Sequence, residues 1–124
     1  MDEHGKATFR WQNNILYTEA FGPFNEQGVR KAAMQYLYEI ENRHLTPYSV
    51  IEIWDEYSLA CPEGMKKVEQ LWALLSYNQC SAFALVAYNA TQASIASKLL
   101  PPIGKVFQNI EEAEQWIADR MAAL

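Results

Sequence analysis

SVIEIWDEYSLACPEGMKK, residues 49–67, decides how this chain folds. Val50, Ile51, Ile53 and Trp54 give a short run apolar on both faces, interrupted only by Glu52. A strand covered on both sides by helices has this pattern. Asp55 and Glu56 follow where such a strand would emerge at its C-terminal end. Pro62 suits a first helical turn, where no amide hydrogen bond is needed. Glu63 adds negative charge beside the free amides there. Met65, Val68, Leu71, Trp72 and Leu75 then recur at helical spacing as a stripe to be buried. Strand, loop and helix in this order form half of an α/β crossover unit.

Working outward, residues 7–11 and 15–21 are rich in branched and aromatic side chains that favour extended backbone. Gln12, Asn13 and Asn14 join them as a turn, so the chain opens on an antiparallel hairpin. Residues 1–6 are polar and expected to form a flexible tail. Asn25 is placed to cap a helix running to about Asn42, with Val29, Ala33, Leu37 and Ile40 on its buried stripe. Tyr36 and Tyr38 cannot share the centre of that stripe. Residues 82–88, AFALVAY, predict a central strand, followed by a helix start at Asn89-Ala90-Thr91 and a short helix over 92–99. Pro101-Pro102 stops it, residues 104–108 make a last short strand, and Asn109 with Glu112 resembles a capping box. Ala113, Trp116, Ile117 and Met121 mark a C-terminal amphipathic helix.

The resulting order is β-β-α-β-α-β-α-β-α. It predicts one α/β domain over 1–124: a mostly parallel sheet made mixed by the hairpin, with about four helices packed on it. At 124 residues the chain has the size of one modest core. A net charge of −5 disfavours a nucleic-acid surface built on phosphate neutralisation. Its two basic pairs, Arg30-Lys31 and Lys66-Lys67, are too short for a membrane-attracting patch. Two cysteines make no disulfide framework, no apolar run reaches transmembrane length, and the start lacks signal-peptide character. The expectation is a cytoplasmic protein with reduced thiols.

Chemistry-bearing residues are sparse. Cys61, near a predicted helix N-terminus, is the most suggestive, since such a position acidifies thiols. Pro62 withholds an amide proton and Glu63 opposes a thiolate, so a structural role outweighs a reactive one. Cys80 is expected in the core. His4 and His44, without matching Cys or carboxylate spacing, specify no metal. Asp55 and Glu56 fit a solvated acidic loop as well as acid chemistry. No glycine-rich phosphate loop is present, and no cofactor is implied. Trp54, Trp72 and Tyr88, with Tyr57, Tyr77 and Phe83, could enclose an apolar cavity or simply fill a core.

Three phrases, ILYTEAFGPF at 15–24, VIEIWD at 50–55 and IGKVFQNIEEAEQW at 103–116, resemble the SpoIIAA-like or STAS-like group in that order. These are small α/β domains related to anti-sigma-factor antagonists and sulfate-transporter regulatory domains. The resemblance implies a STAS-like mixed sheet and a regulatory, non-enzymatic role. Members of the group carry an Asp-Ser/Thr-Ser/Thr-Gly phrase, phosphorylated by a partner kinase, at the helix start after a central strand. Here that place holds Cys61-Pro62-Glu63-Gly64, retaining only the glycine. Ser58 remains as a nearby hydroxyl for modification. The expected function is an interaction or regulatory domain with a protein partner or as a homodimer. Asp55, Tyr57, Ser58, Cys61, Glu63 and Gly64 are its candidate surface or pocket rim. The alternative is a carrier or sensor of an apolar small molecule or lipid, held among Trp54, Trp72 and Tyr88.

Overall fold

The structure is a computed structural model and describes residues 3–43 and 47–124. Its elements follow the predicted order: β1 (Lys6–Gln12), β2 (Ile15–Phe21), α1 (Glu26–Arg43), β3 (Tyr48–Trp54), α2 (Pro62–Tyr77), β4 (Cys80–Val86), α3 (Ala90–Leu99), β5 (Gly104–Phe107) and α4 (Ile110–Ala122). The strands form one sheet in the order β1-β2-β3-β4-β5. β1 and β2 are antiparallel, and each later neighbour pair is parallel.

Local chemistry sets most boundaries. Asn13 turns the hairpin with a φ of 56°, a left-handed conformation that Asn tolerates better than most residues. Asn25, Asn89 and Asn109 each accept a hydrogen bond from the amide three residues on, at 2.8, 2.9 and 2.8 Å, and so start α1, α3 and α4. Pro62 is the first residue of α2.

Alternation along the strands divides the core in two. Leu16, Val50, Trp54, Phe83 and Leu85 face α1 and α2, and Ala96 of α3 joins this cluster. Tyr17, Ile51, Ala84 and Val86 face Ala113 and Ile117 of α4. The sheet is therefore covered on both sides, as the composition of β3 predicts. At roughly 25 cal/mol per Å² of apolar area, this double burial is the main source of stability.

β4 lies inside the sheet, between β3 and β5, as its apolar composition predicts. Two expectations need correction. β4 ends at Val86, so Ala87 and Tyr88 lie past the strand. Within the expected flexible start, Glu3–Gly5 is tied down. The backbones of His4 and Asn25 bond at 3.2 Å, the Asn25 side chain accepts from His4 N at 2.9 Å, and Lys31 pairs with Glu3 at 2.7 Å. Met1, Asp2 and His44 lie outside the described residues.

Candidate functional site

The site is built where β2 and β3 face α1 and α2. Thr18 and Glu52 are directly paired in the parallel register of these strands, so their side chains stand together on one face. Ala20 and Trp54 form the next pair on that face. Opposite them, α1 presents Val29, Ala32, Ala33 and Tyr36, and α2 presents Met65, Val68, Leu71 and Trp72. Small residues on both layers, Ala7 and Ala20 on the sheet and Ala32 and Ala33 on the helix, keep the layers from filling the space between them. The result is an apolar cavity of about 50 Å³, partly open to solvent.

Glu52 is the unusual member. It is buried, and among the described residues no Lys, Arg or His lines the cavity. Its carboxyl is instead held by three neutral donors. Tyr36 Oη donates to Oε1 at 2.9 Å, Trp72 Nε1 to Oε1 at 3.2 Å, and Trp54 Nε1 to Oε2 at 2.7 Å. Burial raises the Glu52 pKa above the ordinary glutamate value, and the three donors offset part of that rise. Burial, reinforced by the Glu52 charge, likewise pushes the Tyr36 phenol well above its usual value. Beside them, Thr18 Oγ1 is buried next to the Tyr36 hydroxyl, and no donor reaches it.

The raised Glu52 value has a consequence for stability. A carboxyl that binds its proton more tightly folded than unfolded contributes stability that is complete below the unfolded value, about 4.3 for glutamate. That contribution is lost as pH rises through the raised folded value. The stability of the natural chain relative to Glu52→Gln should therefore fall as pH is taken from about 4 to 8. Urea unfolding of both proteins across that range checks it; a flat difference would sink the assignment.

The loop after β3 forms a hydrogen-bonded knot. Ser58 Oγ donates to Asp55 Oδ1 at 2.8 Å, lies 3.0 Å from Ala20 O, and accepts from Asp55 N at 2.9 Å. Asp55 Oδ1 also accepts from Gly22 N at 3.2 Å and Tyr57 N at 3.0 Å. Gln92, buried at the start of α3, donates through Nε2 to Asp55 O at 2.8 Å. This ties the ends of β2 and β3 to α3, and the loop also supplies Ser58 and Ala60 to the cavity wall.

No protein-family model matches the chain, and no curated protein does. A solved structure is similar over nearly its whole length: the crystal structure of an uncharacterized protein of the DUF3478 family, with a SpoIIAA-like fold, from Shewanella loihica PV-4. The two share 10% sequence identity at a TM-score of 0.64, over 94% of this chain and 95% of that one. The fold is SpoIIAA-like.

Within this SpoIIAA-like domain the sequence-predicted residues separate into three groups. Trp54 and Trp72 line the cavity, their rings stacked with centroids 6.0 Å apart. Tyr88 does not: it is 62% exposed, because β4 ends two residues earlier. Asp55 and Ser58 are brought together, but inside the knot. Ser58 is only 5% exposed and its hydroxyl is engaged on every side, so it is not a free acceptor for modification. Tyr57, Cys61 and Glu63 are exposed, and Gly64 is buried where α2 passes Ala60 and Val29. Cys61 occupies the N-cap position of α2 without a side-chain capping bond. Cys80 is buried, and burial pushes its thiol up to about 12.

In the sequence Glu52 stands out only as an interruption of an apolar run, and Thr18 and Gln92 carry no local signal of their roles. A lone carboxylate in a strand apolar on both faces was the available signal, since such a group must find donors. Among the described residues no cluster of three His, Cys, Asp or Glu side chains could hold a metal, and no helix is long and apolar enough to cross a membrane.

Proposed function

We propose that this chain is a non-enzymatic binding domain that takes a small, largely apolar molecule between α1 and α2. One observation carries the reading: an apolar cavity, partly open, with a hydrogen-bonded carboxyl on its floor. Ligand sites combine apolar walls with a few convergent polar groups in this way. The Glu52 carboxyl is held in place by three donors, which favours binding over turnover. The enclosed volume of about 50 Å³ is a third of the ~150 Å³ of a protein cavity that admits benzene, so only part of a ligand is enclosed and the rest lies along the opening.

A protein-contact role is a second reading, supported by the loop after β3. That loop carries exposed Tyr57 and leads to exposed Cys61 and Glu63, while its Ser58 and Ala60 belong to the cavity wall. A ligand in the cavity would therefore bear on the surface offered to a partner.

Gentle affinity purification, followed by mass spectrometry of both small molecules and proteins, tests the two together. The expected result is a retained small molecule that is lost in Ala33→Leu, where the added side chain fills the cavity while keeping a good helix former. A retained molecule indifferent to Ala33→Leu, or no retained and no titratable ligand, refutes the cavity reading. Recovery of a protein dependent on Tyr57 and Glu63 would favour the second.

A further inference from the structure

We propose that the α1–α2 cavity receives the protonated amine end of an amphiphile, with Glu52 as its counter-charge and Thr18 Oγ1 as a second acceptor. This rests on the cavity being a ligand site and names the class of ligand.

A carboxylate offers about four acceptor positions. Tyr36, Trp54 and Trp72 use three of those on Glu52. Its register neighbour Thr18, 1% exposed, lines the same cavity beside the Tyr36 hydroxyl, and its oxygen accepts from no donor. Two adjacent acceptors with capacity to spare call for a head group with several donors. An ammonium has three and no acceptor.

Charge narrows the choice further. Among the described residues, no cationic side chain lines the cavity to balance Glu52. A carboxylate or phosphate head would face it across a poorly screened space and be repelled. A neutral alcohol can bond to Thr18 but leaves the acid uncompensated. An ammonium does both, and a buried charge is tolerated when it is paired and hydrogen-bonded. The remaining surface, with Phe24, Val29, Met65, Val68 and Leu71, suits an alkyl or aryl body. The small enclosed volume fits a head and its first carbon, with the body directed to the open side.

The test compares n-hexylamine, n-hexanol and n-hexanoate by calorimetry and NMR titration on the full chain and on Glu52→Gln. The amine is expected to bind about tenfold or more tighter than the alcohol, as a charged hydrogen bond adds, and the acid weakest. Glu52→Gln should remove the preference, bringing the amine to the affinity of the alcohol on the same variant. The same control separates the cavity from general attraction of amines to a chain of net charge −5. Equal binding of amine and alcohol, tightest binding of the acid, or a preference that survives Glu52→Gln overturns the inference and leaves the apolar cavity reading standing. Binding of none of the three overturns it as well; a ligand retained from cells and lost in Ala33→Leu would then still uphold the cavity. Should Glu52→Gln not fold, the natural chain decides: hexylamine must shift the Glu52 carboxyl carbon resonance, and a resonance that stays put refutes the proposal.

Discussion

Trp72→Ala should destabilise the domain by about 3–5 kcal/mol, the range for removing a fully buried large aromatic side chain. Trp72 has no exposed surface; it stacks on Trp54 and packs at 5.4 Å, centroid to centroid, against Phe83 of β4. It thus joins α2 to two strands. Its indole N–H is also one of three donors to Glu52, so truncation leaves a buried carboxyl less well satisfied. Trp72→Phe separates the two contributions: it keeps most of the packing and loses the donor, for an expected loss of roughly 1–3 kcal/mol. Urea unfolding of the three proteins gives the comparison. Trp72→Ala within about 1 kcal/mol of the natural chain would mean that α2 is not anchored to the sheet through this residue.

The fold was legible because its signals are local. Three Asn caps, the Pro at the first turn of α2 and the two-sided apolarity of β3 each depend on a few neighbouring residues. The site was less legible because its partners are distant in the chain. Glu52 meets Tyr36 sixteen residues before it and Trp72 twenty after it, and Thr18 reaches it only through the register of β2 on β3. Tyr36 was separable from Tyr38 only as an either-or: one had to leave the core, and the structure buries Tyr36 and exposes Tyr38. Tyr88 closes AFALVAY, a run apolar on both faces. Its alternation then says neither which residues face α2 nor where the strand stops. Ser58 looked like a free hydroxyl because one of its partners, the carbonyl of Ala20, comes from the neighbouring strand.

Gly22→Ala should be as damaging, at about 3–5 kcal/mol, although it adds only one carbon. A Cβ on Gly22 would run into the backbone oxygen of Tyr57 and lie 2.8 Å from Ser58 Cα. These are main-chain atoms, so no side-chain rotation relieves the clash, and forced overpacking costs roughly 1–3 kcal/mol or more. Separating the two segments also breaks the bond from Gly22 N to the Asp55 carboxylate, and charged hydrogen bonds contribute about 1.5–3 kcal/mol. The damage should reach the cavity, since the same loop carries Ser58 and Ala60 and is pinned to Phe24 by an isolated bridge from Ala60. Gly64→Ala is the informative contrast. Its Cβ would meet Ala60 Cβ at 2.9 Å, Val29 at 3.4 Å and Cys61 Sγ at 3.6 Å, so a slight shift of the Ala60 segment is needed, and the helix gains about 1 kcal/mol of propensity in exchange. Gly22→Ala should therefore unfold at clearly lower urea than Gly64→Ala. It should also lose slow hydrogen exchange at the amides of Asp55 and Ser58, whose bonds to Ala20 O and Asp55 O close the knot. Equal midpoints for the two variants would show that the β2–β3 knot yields easily, and that the cavity wall it supports is softer than its hydrogen bonds suggest.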